Sequence, residues 1–314
     1  MPRRGMLPAC RETITAPALY ADRRRFLVAA SVLLGGTAAT SRPLAALAAA
    51  SAHTAPGTHP GDDPGPLSSF ATITRYNNYY EYSSNKEAVH VLAREFAPRP
   101  WTLTIDGEVE RPLTLALEDL ARRWPGEERV YRMRCVEGWS MVIPWLGIPL
   151  AEVLRAAAPL SSARFVQFTS VLRPEVMIGQ RRDALAWPYR EGLRLDEALH
   201  PLTLLATGLY GEPLPNQNGA PLRLVVPWKY GYKSIKAVAR ITLTRSQPVS
   251  SWQQASPSQY GFYGNVNPDV AHPRWSQRRE VRVGELGKRD TLPFNGYAEQ
   301  VAGLYAGMDP QRHF

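Results

Sequence analysis

Residues 131–145 read Tyr-Arg-Met-Arg-Cys-Val-Glu-Gly-Trp-Ser-Met-Val-Ile-Pro-Trp and contain Cys135, one of two cysteines in the chain. Arginines stand one and three positions before this cysteine, on the opposite face of an extended strand. Gly138 and Pro144 argue against a single regular element through the whole stretch. A thiolate held by nearby positive charge at a strand end is a soft ligand or a nucleophile, whereas most free cysteines are inert and buried. From the residues alone, both interpretations of Cys135 remain open.

The first fifty residues are predicted to be an export signal that is cleaved from the mature protein. Consecutive arginines at 23–25 precede Phe-Leu, an apolar run covers residues 28–34, and Ala-x-Ala cleavage options follow up to residue 50. This pattern is typical of a twin-arginine signal to the periplasm, the alternative being a fortuitous basic amphipathic start. The apolar run is too short and too rich in small residues for a membrane span. Because this pathway exports folded proteins, it also favours a protein that receives a cofactor before export.

Removal of this leader changes both the charge and the cysteine count. The chain has a formal net charge of +9, of which residues 1–50 contribute seven arginines and two acids, so the mature chain carries about +4. That value weakens any interpretation as a nucleic-acid-binding protein. Cys10 leaves with the leader, so the mature chain has one cysteine and no internal disulfide. A lone thiol in an oxidising compartment is a liability unless it is buried or ligated, which favours Cys135 as a ligand.

The rest of the chain is predicted to be one α+β domain, rich in β-strand and of mixed type, over residues 70–314. A flexible lead-in rich in Pro, Gly, Thr and His covers residues 51–69. No internal repeat and no long amphipathic helix is present in the sequence, and the length suits a single domain. Alternation and turn residues predict strands over 101–109, 165–170, 202–210, 222–226 and 238–244, short helices over 117–124, 149–158 and 193–199, and a loop over 173–191.

A second candidate site is an aromatic loop that is rich in lysine. Three of the chain's five lysines, Lys229, Lys233 and Lys236, fall within eight positions of one another, together with Ser234. Lysines and a serine on a glycine-containing loop suit a phosphate or another compact anion. A solvated basic turn and single-stranded nucleic acid are the alternatives, and the low mature charge disfavours the second. Arg223, on an otherwise apolar strand just before this loop, requires an anionic partner.

Several familiar enzyme motifs are absent from the sequence. It contains no dinucleotide-binding glycine motif, no Walker loop, no G-x-S-x-G elbow and no H-E-x-x-H. The six histidines have no ligand spacing, so a histidine-based metal site is not expected. A cysteine hydrolase would need a partner histidine, for which His90, His200 and His272 are the candidates by position.

Three long strings behind the twin-arginine leader together resemble one family. They are Arg-Cys-Val-Glu-Gly-Trp-Ser-Met-Val-Ile-Pro-Trp (134–145), Asn-Gln-Asn-Gly-Ala-Pro-Leu-Arg-Leu-Val-Val-Pro-Trp-Lys-Tyr-Gly-Tyr-Lys-Ser-Ile-Lys (216–236) and His-Pro-Arg-Trp-Ser-Gln (272–277). They are similar to the catalytic subunits of periplasmic protein-methionine-sulfoxide reductases, which are molybdenum enzymes with the sulfite-oxidase fold. The resemblance extends from about residue 70 to Phe314.

The resemblance implies a mononuclear molybdenum held by a pyranopterin dithiolene, with Cys135 as the protein ligand to the metal. Dithiolene and cysteine make a soft sulfur environment. Asn78, Glu137 and Trp275 are implied to face the metal. At position 170 the family is expected to have threonine, and the serine here keeps the hydroxyl. Residues implied to contact the cofactor, the last three at its phosphate end, are Asn77, Tyr80, Glu81, Ser170, Asn218, Arg223, Ser234, Ile235 and Lys236.

The activity implied by the resemblance is reduction of methionine sulfoxide, free or in oxidised periplasmic proteins, to methionine. Electrons would come from a haem-containing integral membrane subunit fed by the quinone pool, and protein substrates imply an open site. Sulfite oxidases have arginine-rich sequence after their cysteine, whereas Glu137 stands two positions after Cys135 here. A carboxylate there repels sulfite and suits a neutral sulfoxide, to which an acid can deliver a proton.

Two alternative functions are compatible with the sequence. One alternative is a related enzyme that acts on another S- or N-oxide, and the other is a non-enzymatic periplasmic module that binds an anion. A monomer is expected, because the chain is too short to add the dimerisation domain of larger relatives.

Overall fold

The computed structural model describes residues 64–314, so the predicted leader and most of the lead-in lie outside the described residues. Residues 64–68 and 72–314 belong to one compact unit, and residues 69–71 belong to another. No helix within residues 64–314 is long and apolar enough to cross a membrane.

The helices of the described part are short, the longest having seven residues. They are α1 Phe70–Arg75, α2 Val89–Leu92, α3 Leu117–Arg123, α4 Leu150–Ala156, α5 Leu195–Ala198, α6 Ser251–Ala255 and α7 Ala298–Val301. Single 3-10 turns lie at Ile178–Arg181, Asn216–Asn218, Gly231–Lys233, Pro293–Gly296 and Ala302–Tyr305.

The strands form two sheets. They are β1 Thr102–Gly107, β2 Leu113–Ala116, β3 Glu127–Arg134, β4 Trp139–Pro149, β5 Phe165–Ser170, β6 Arg190–Arg194, β7 Leu204–Leu209, β8 Glu212–Pro213, β9 Arg223–Val225, β10 Val238–Thr244, β11 Arg279–Arg282 and β12 Arg289–Asp290. The first sheet has the order β2-β1-β10-β5-β6, and the second has the order β12-β11-β4-β7-β8, with β3 paired to β4 and β9 to β7. Most pairs are antiparallel, whereas β1–β10 and β4–β11 are parallel.

Both sheets contribute to one apolar core. Ile105, Phe168 and Ile241 from the first sheet belong to the same buried cluster as Met141 and Trp145 from the second. Burial of this apolar area is the main stabilising term, because each fully buried aliphatic or aromatic side chain contributes about 1.5–3 kcal/mol. Mixed sheets with few, short helices confirm the predicted α+β class.

Two strands have their predicted bounds, and other predicted elements differ at their ends. The strands Phe165–Ser170 and Val238–Thr244 match the prediction. The three predicted helices appear as α3, α4 and α5, each shorter than predicted. The loop predicted over residues 173–191 is wrong at its end, since β6 begins at Arg190. The sequence Arg-Glu-Gly-Leu-Arg has little alternation of its own, and it becomes a strand by pairing with β5 along its whole length.

The stretch around Cys135 is not one regular element, as expected, since a turn at Gly138 separates β3 from β4. Pro144, however, lies inside β4 without interrupting it. On one side it lies opposite Val130 of β3. On the other side, β11 pairs only with Trp139 and Ser140, and β7 pairs with β4 only from Trp145 onward. Proline cannot donate to a sheet ladder, so it is tolerated here because β7 ends at Leu209 and the chain beyond it uses only the Pro144 carbonyl, which accepts from the Tyr210 N–H at 2.9 Å.

Two fully buried lysine–glutamate pairs connect distant parts of the chain. Lys229 Nζ lies 2.6 Å from Glu197 Oε1, and Lys233 Nζ lies 2.5 Å from Glu191 Oε2. Tyr305 OH also donates to Glu197 Oε1 at 2.6 Å, which attaches the C-terminal segment to the same carboxylate. Burial lowers the pKa of Lys229 to about 8, with the charge of Glu197 acting in the opposite direction.

Replacing Lys229 with methionine should destabilise the protein by about 3–5 kcal/mol, because it leaves Glu197 as a buried carboxylate without its cation. Urea unfolding of the cofactor-free protein measures the change. Lys288→Met is the matched control, since Lys288 is exposed, and it should stay within about 0.5 kcal/mol of the wild type. Equal stability of the two variants would contradict a structural role for the buried pair.

Candidate functional site

Cys135 directly follows β3 and opens a tight turn into β4. Its backbone N–H donates to the Trp139 carbonyl at 2.8 Å, and the Gly138 N–H donates to the Cys135 carbonyl at 3.1 Å. Gly138 has a φ of +86°, a left-handed conformation that glycine adopts without steric cost. The thiol is buried and lines a cleft.

The guanidinium of Arg134 fixes this turn from behind. It is fully buried, and its Nε lies 2.8 Å from Glu280 Oε2 on β11. Its Nη2 donates to Gln277 Oε1 at 2.9 Å and to Thr291 Oγ1 at 3.2 Å, and its Nη1 donates to the Cys135 carbonyl. A buried charge of this kind requires an anion and further acceptors, and Arg134 has both.

Trp275 holds the residue after the cysteine. Its indole N–H donates to the Val136 carbonyl at 2.8 Å, and Gln277 Nε2 donates to the same oxygen at 2.8 Å. The Trp275 ring stacks on His272 with ring centroids 3.8 Å apart. Trp275 also lines an open depression that includes Glu137. The indole N–H of this residue is therefore engaged by the cysteine turn.

The electrostatics around Cys135 differ from the sequence expectation of a thiolate stabilised by nearby arginine. Burial, together with the negative charge of Glu137, raises the pKa of the thiol to about 12. Arg134 and Lys86 act in the opposite direction with smaller effects, and Glu280 already compensates Arg134. The thiol therefore needs a cation to become a thiolate, as is usual where a metal displaces the proton of its ligand.

Glu137 is held by one of its two carboxylate oxygens. Glu137 Oε2 accepts hydrogen bonds from Asn78 Nδ2 at 3.2 Å and from Trp139 Nε1 at 3.2 Å, and it lies 2.9 Å from Lys86 Nζ. Asn78 Nδ2 also lies 3.3 Å from Cys135 Sγ. Burial raises the pKa of Glu137, but these donors outweigh burial and leave the pKa below its usual value. Glu137 is therefore ionised at neutral pH.

The cleft beside Cys135 brings most of the implied site residues together. It encloses about 940 Å³, counting its open mouth. The implied residues that line it are Asn77, Asn78, Tyr80, Glu81, Cys135, Glu137, Asn218, Arg223, Ser234, Ile235 and Lys236. They come from the segment after α1, the β3–β4 turn and the loops around β9, which are far apart in sequence.

Ser170 is not among the residues that line the cleft. It ends β5, is buried, and its hydroxyl contacts the Val171 carbonyl at 3.5 Å. Its backbone N–H donates to the carbonyl of Tyr189, which does line the cleft. Ser170 is thus separated from the cleft by Tyr189 and does not face it directly.

The lysine-rich loop divides into two structural lysines and one lysine of the cleft. Lys229 and Lys233 are buried in the pairs with Glu197 and Glu191, so the expectation that they bind a phosphate is wrong. Lys236 does line the cleft, and its Nζ donates to the Asn78 carbonyl at 2.8 Å. The sequence alone does not show which lysine faces which acid.

Arg223 is a buried cation whose hydrogen-bond partners in the described residues are all backbone carbonyls. Its Nη1 donates to Asn218 O at 3.0 Å and its Nη2 to Ser234 O at 3.1 Å. The guanidinium also lies 4.8 Å above the Trp145 ring. Burial lowers the pKa of Arg223 to about 10. Because these carbonyls carry no net charge, the positive charge of Arg223 still requires an anionic partner, as its position in the sequence predicted.

Two side-chain amides on the same cleft, those of Asn77 and Asn218, each have one atom without a hydrogen-bond partner. Asn218 Nδ2 donates to Asn77 Oδ1 at 3.1 Å, which leaves Asn77 Nδ2 and Asn218 Oδ1 buried without a hydrogen bond. Buried polar atoms without partners are rare, and each costs about 1–3 kcal/mol. A donor and an acceptor side by side suit the polar edge of a heterocycle.

Glu81 and Lys236 interact electrostatically in the cleft. Burial raises the pKa of Glu81, and burial with the nearby charge of Arg223 lowers the pKa of Lys236. The 3-10 turn that begins at Ile178 packs closely on the backbone of Tyr80 and Glu81. Only glycine fits at position 179, because a Cβ there would lie 2.1 Å from Tyr80 O. The Gly179 N–H also donates to Glu81 O at 2.8 Å.

These observations fit an anionic heterocyclic cofactor with a phosphate group and sulfur chemistry. Arg223 and Lys236 add two basic side chains to a cleft whose carboxylates are Glu81 and Glu137, and Lys86 already balances Glu137, which leaves room for an anion. The amide pair offers hydrogen bonds, and Cys135 offers a soft ligand. Among residues 64–314 there is no group of three or more His, Cys, Asp or Glu side chains that could hold a metal ion.

Lys86 is the site residue that the sequence reasoning missed. It lies 2.9 Å from Glu137 and is one of only five lysines among 37 basic residues. The loop around Lys236 was singled out because three lysines cluster there, whereas Lys86 stands alone and has only its rarity as a signal. Trp139, the other unexpected donor to Glu137, had no comparable sequence signal.

Comparison with known proteins agrees with this chemistry. A family model described as oxidoreductase molybdopterin binding domain matches residues 90–252, just over half of the chain. Among solved structures, the sulfane dehydrogenase SoxCD from Paracoccus pantotrophus is similar, with a TM-score of 0.44 and 21% identity over 60% of this chain. The match covers 50% of that chain, so the present chain spans about half of its length. Because the family model covers more than half of the residues, the chain belongs to the family of oxidoreductases with a molybdopterin binding domain.

Proposed function

We propose that this oxidoreductase is the catalytic subunit of a periplasmic protein-methionine-sulfoxide reductase. The observation that supports this most is Glu137, an ionised carboxylate on the cleft wall two residues after Cys135, which is paired with Lys86. The Glu137–Lys86 pair carries no net charge, so it offers anionic sulfite no attraction, whereas a neutral sulfoxide requires none. The strings at residues 134–145, 216–236 and 272–277 support the same substrate.

The chain's own residues provide a holder for the cofactor. A molybdenum–molybdopterin centre, when bound, supplies oxygen-atom transfer with two electrons. Cys135 would ligate its metal, Ser234, Ile235 and Lys236 would hold its phosphate end, and Arg223 would supply a further positive charge to the anionic cofactor. The unpartnered amide atoms on Asn77 and Asn218 would bind its heterocycle. Tyr80, Glu81 and Ile235 line the same cleft.

The substrate side of the site is an open depression of about 1000 Å³ beside Glu137. Its remaining wall is mostly aromatic and consists of Tyr80, Trp252, Tyr260 and Trp275, with Ser256, Gln259 and Arg274. Aromatic faces bind a thioether chain well, and an open mouth admits a methionine that remains part of a polypeptide. Asn78 Nδ2 contacts both Cys135 Sγ and Glu137 Oε2, so Asn78 connects the proposed metal ligand to the carboxylate beside the depression.

The proposal includes export and an electron donor. The twin-arginine pattern in residues 1–50 supports a periplasmic location, and the resemblance supports a haem-containing membrane subunit that passes electrons from the quinone pool. Oxidised periplasmic proteins would be the substrates.

Metal analysis of the exported protein tests the cofactor and its ligand. The wild type should contain one molybdenum per chain, and Cys135→Ser should lose it, because the hydroxyl is a harder and much less acidic ligand. Wild type without metal would favour the anion-binding module instead. Metal at full occupancy in Cys135→Ser would remove Cys135 as the ligand.

Substrate assays test the activity. The molybdenum-loaded protein should reduce methionine sulfoxide in a peptide with reduced benzyl viologen as electron donor, and it should not oxidise sulfite. Reduction of dimethyl sulfoxide or trimethylamine N-oxide without reduction of the peptide would favour the related enzyme for another S- or N-oxide.

Lys236→Met should lower the molybdopterin content of the purified protein by about tenfold or more. The reason is loss of a charge-assisted contact to the cofactor phosphate, which contributes roughly 1.5–3 kcal/mol. The fluorescence of the released, oxidised pterin measures the content. Lys288→Met is the control and should keep full content; full content in Lys236→Met would place the phosphate elsewhere.

A further inference from the structure

We infer that Lys86 is a positioning residue of this site, which fixes the Glu137 carboxylate beside Cys135 and neutralises its charge. The inference deepens the proposed function and rests on it for the identity of the substrate. Lys86 belongs to none of the three strings that carry the family resemblance.

The contacts to the Glu137 carboxylate all fall on one of its two oxygens. Lys86, Asn78 and Trp139 all reach Oε2, at distances of 2.9, 3.2 and 3.2 Å. Within the described residues, no hydrogen bond to Oε1 is present. Lys86 is the charged member of the three donors, and so it contributes the strongest of these contacts. The carboxylate is therefore oriented by its contacts on one oxygen, with the other available to the cleft.

Lys86 is itself held in place. Its carbonyl accepts a hydrogen bond from the Asn77 N–H at 3.1 Å, which connects it to the residue before Asn78. Its ammonium lies 5.9 Å above the Tyr76 ring, and that ring packs edge-on against Trp139 at 5.2 Å. The Lys86 side chain is only 23% exposed. A cation fixed from both ends and partly desolvated orients its partner better than a surface lysine does.

The charge of the pair determines what the substrate meets. With Lys86 present, the pair is neutral and a sulfoxide oxygen, which carries partial negative charge, can approach. Without Lys86, an unpaired carboxylate stands beside Cys135 and opposes that oxygen. The carboxylate also keeps only two neutral donors and can rotate. Both effects act through Glu137, so they should vanish when Glu137 carries no charge.

A double-mutant cycle tests this coupling. The variants are Lys86→Met, Glu137→Gln, the double variant, Lys86→Arg and the exposed-site control Lys288→Met, each purified with its molybdenum content measured. Lys86→Met should lower kcat for peptide methionine sulfoxide at least tenfold, with KM changed less than threefold. In the Glu137→Gln background the same change should lower kcat less than twofold. Lys86→Arg should restore most of the activity, and Lys288→Met should match the wild type.

A second readout does not depend on the loaded enzyme. The midpoint of thermal unfolding of the cofactor-free variants should fall in Lys86→Met, and the fall should be absent in the Glu137→Gln background. This measurement keeps the inference testable for variants that load poorly. Additive midpoints would show that the two side chains are not coupled, and the inference would be overturned.

The outcomes separate the positioning role from the proposed function. Equal loss of kcat on Lys86→Met in both backgrounds, or full activity of Lys86→Met alone, would overturn the positioning role. If the wild type reduces dimethyl sulfoxide but not the peptide, the proposed function fails, and the same cycle run on dimethyl sulfoxide still tests Lys86.

Discussion

The buried guanidinium of Arg134 is the interaction on which the site depends. It joins Glu280 on β11 to the carbonyl of Cys135, while β11 pairs in parallel with β4 immediately after the cysteine turn. The two ends of the turn are thus fixed by one ion pair and one stretch of sheet. Removing either partner would leave an uncompensated buried charge, which is strongly unfavourable. The thiol position is therefore set by the sheet and not by a free loop.

The distribution of buried charge separates structure from function. Lys229 and Lys233 each have a glutamate at hydrogen-bond distance, and their charges are used within the fold. Arg223 and Lys236 instead donate to backbone carbonyls and share the cleft with Glu81 as its nearby carboxylate. Carbonyl oxygens satisfy hydrogen bonds but do not neutralise charge. The cleft therefore retains affinity for an anion, which the basic composition of the loop alone could not locate.

The local sequence pattern predicted strands well where burial alternates along the strand. It predicted them poorly where pairing with a neighbouring strand determines whether the segment is extended. Phe165–Ser170 alternates between buried and partly buried residues, and its predicted bounds are those of the structure. β6 and the passage through Pro144 depend on which neighbouring strand is present, and no local signal encodes that. The same holds in the site, since the acids that neutralise two lysines of the loop lie 32 and 42 positions earlier. Lys86 was missed for this reason as well.

The charge of Glu137 bears on substrate choice more directly than its ability to donate a proton. Burial alone would favour the protonated form, but three donors on Oε2 lower the pKa, so the residue is a carboxylate over the neutral range. Because Lys86 balances the carboxylate, an anionic substrate would find no net positive charge at this pair. A neutral sulfoxide does not depend on such a charge. Under the proposed function, discrimination against sulfite would follow from this balance of fixed charges at short range, which salt screens weakly in a partly buried site.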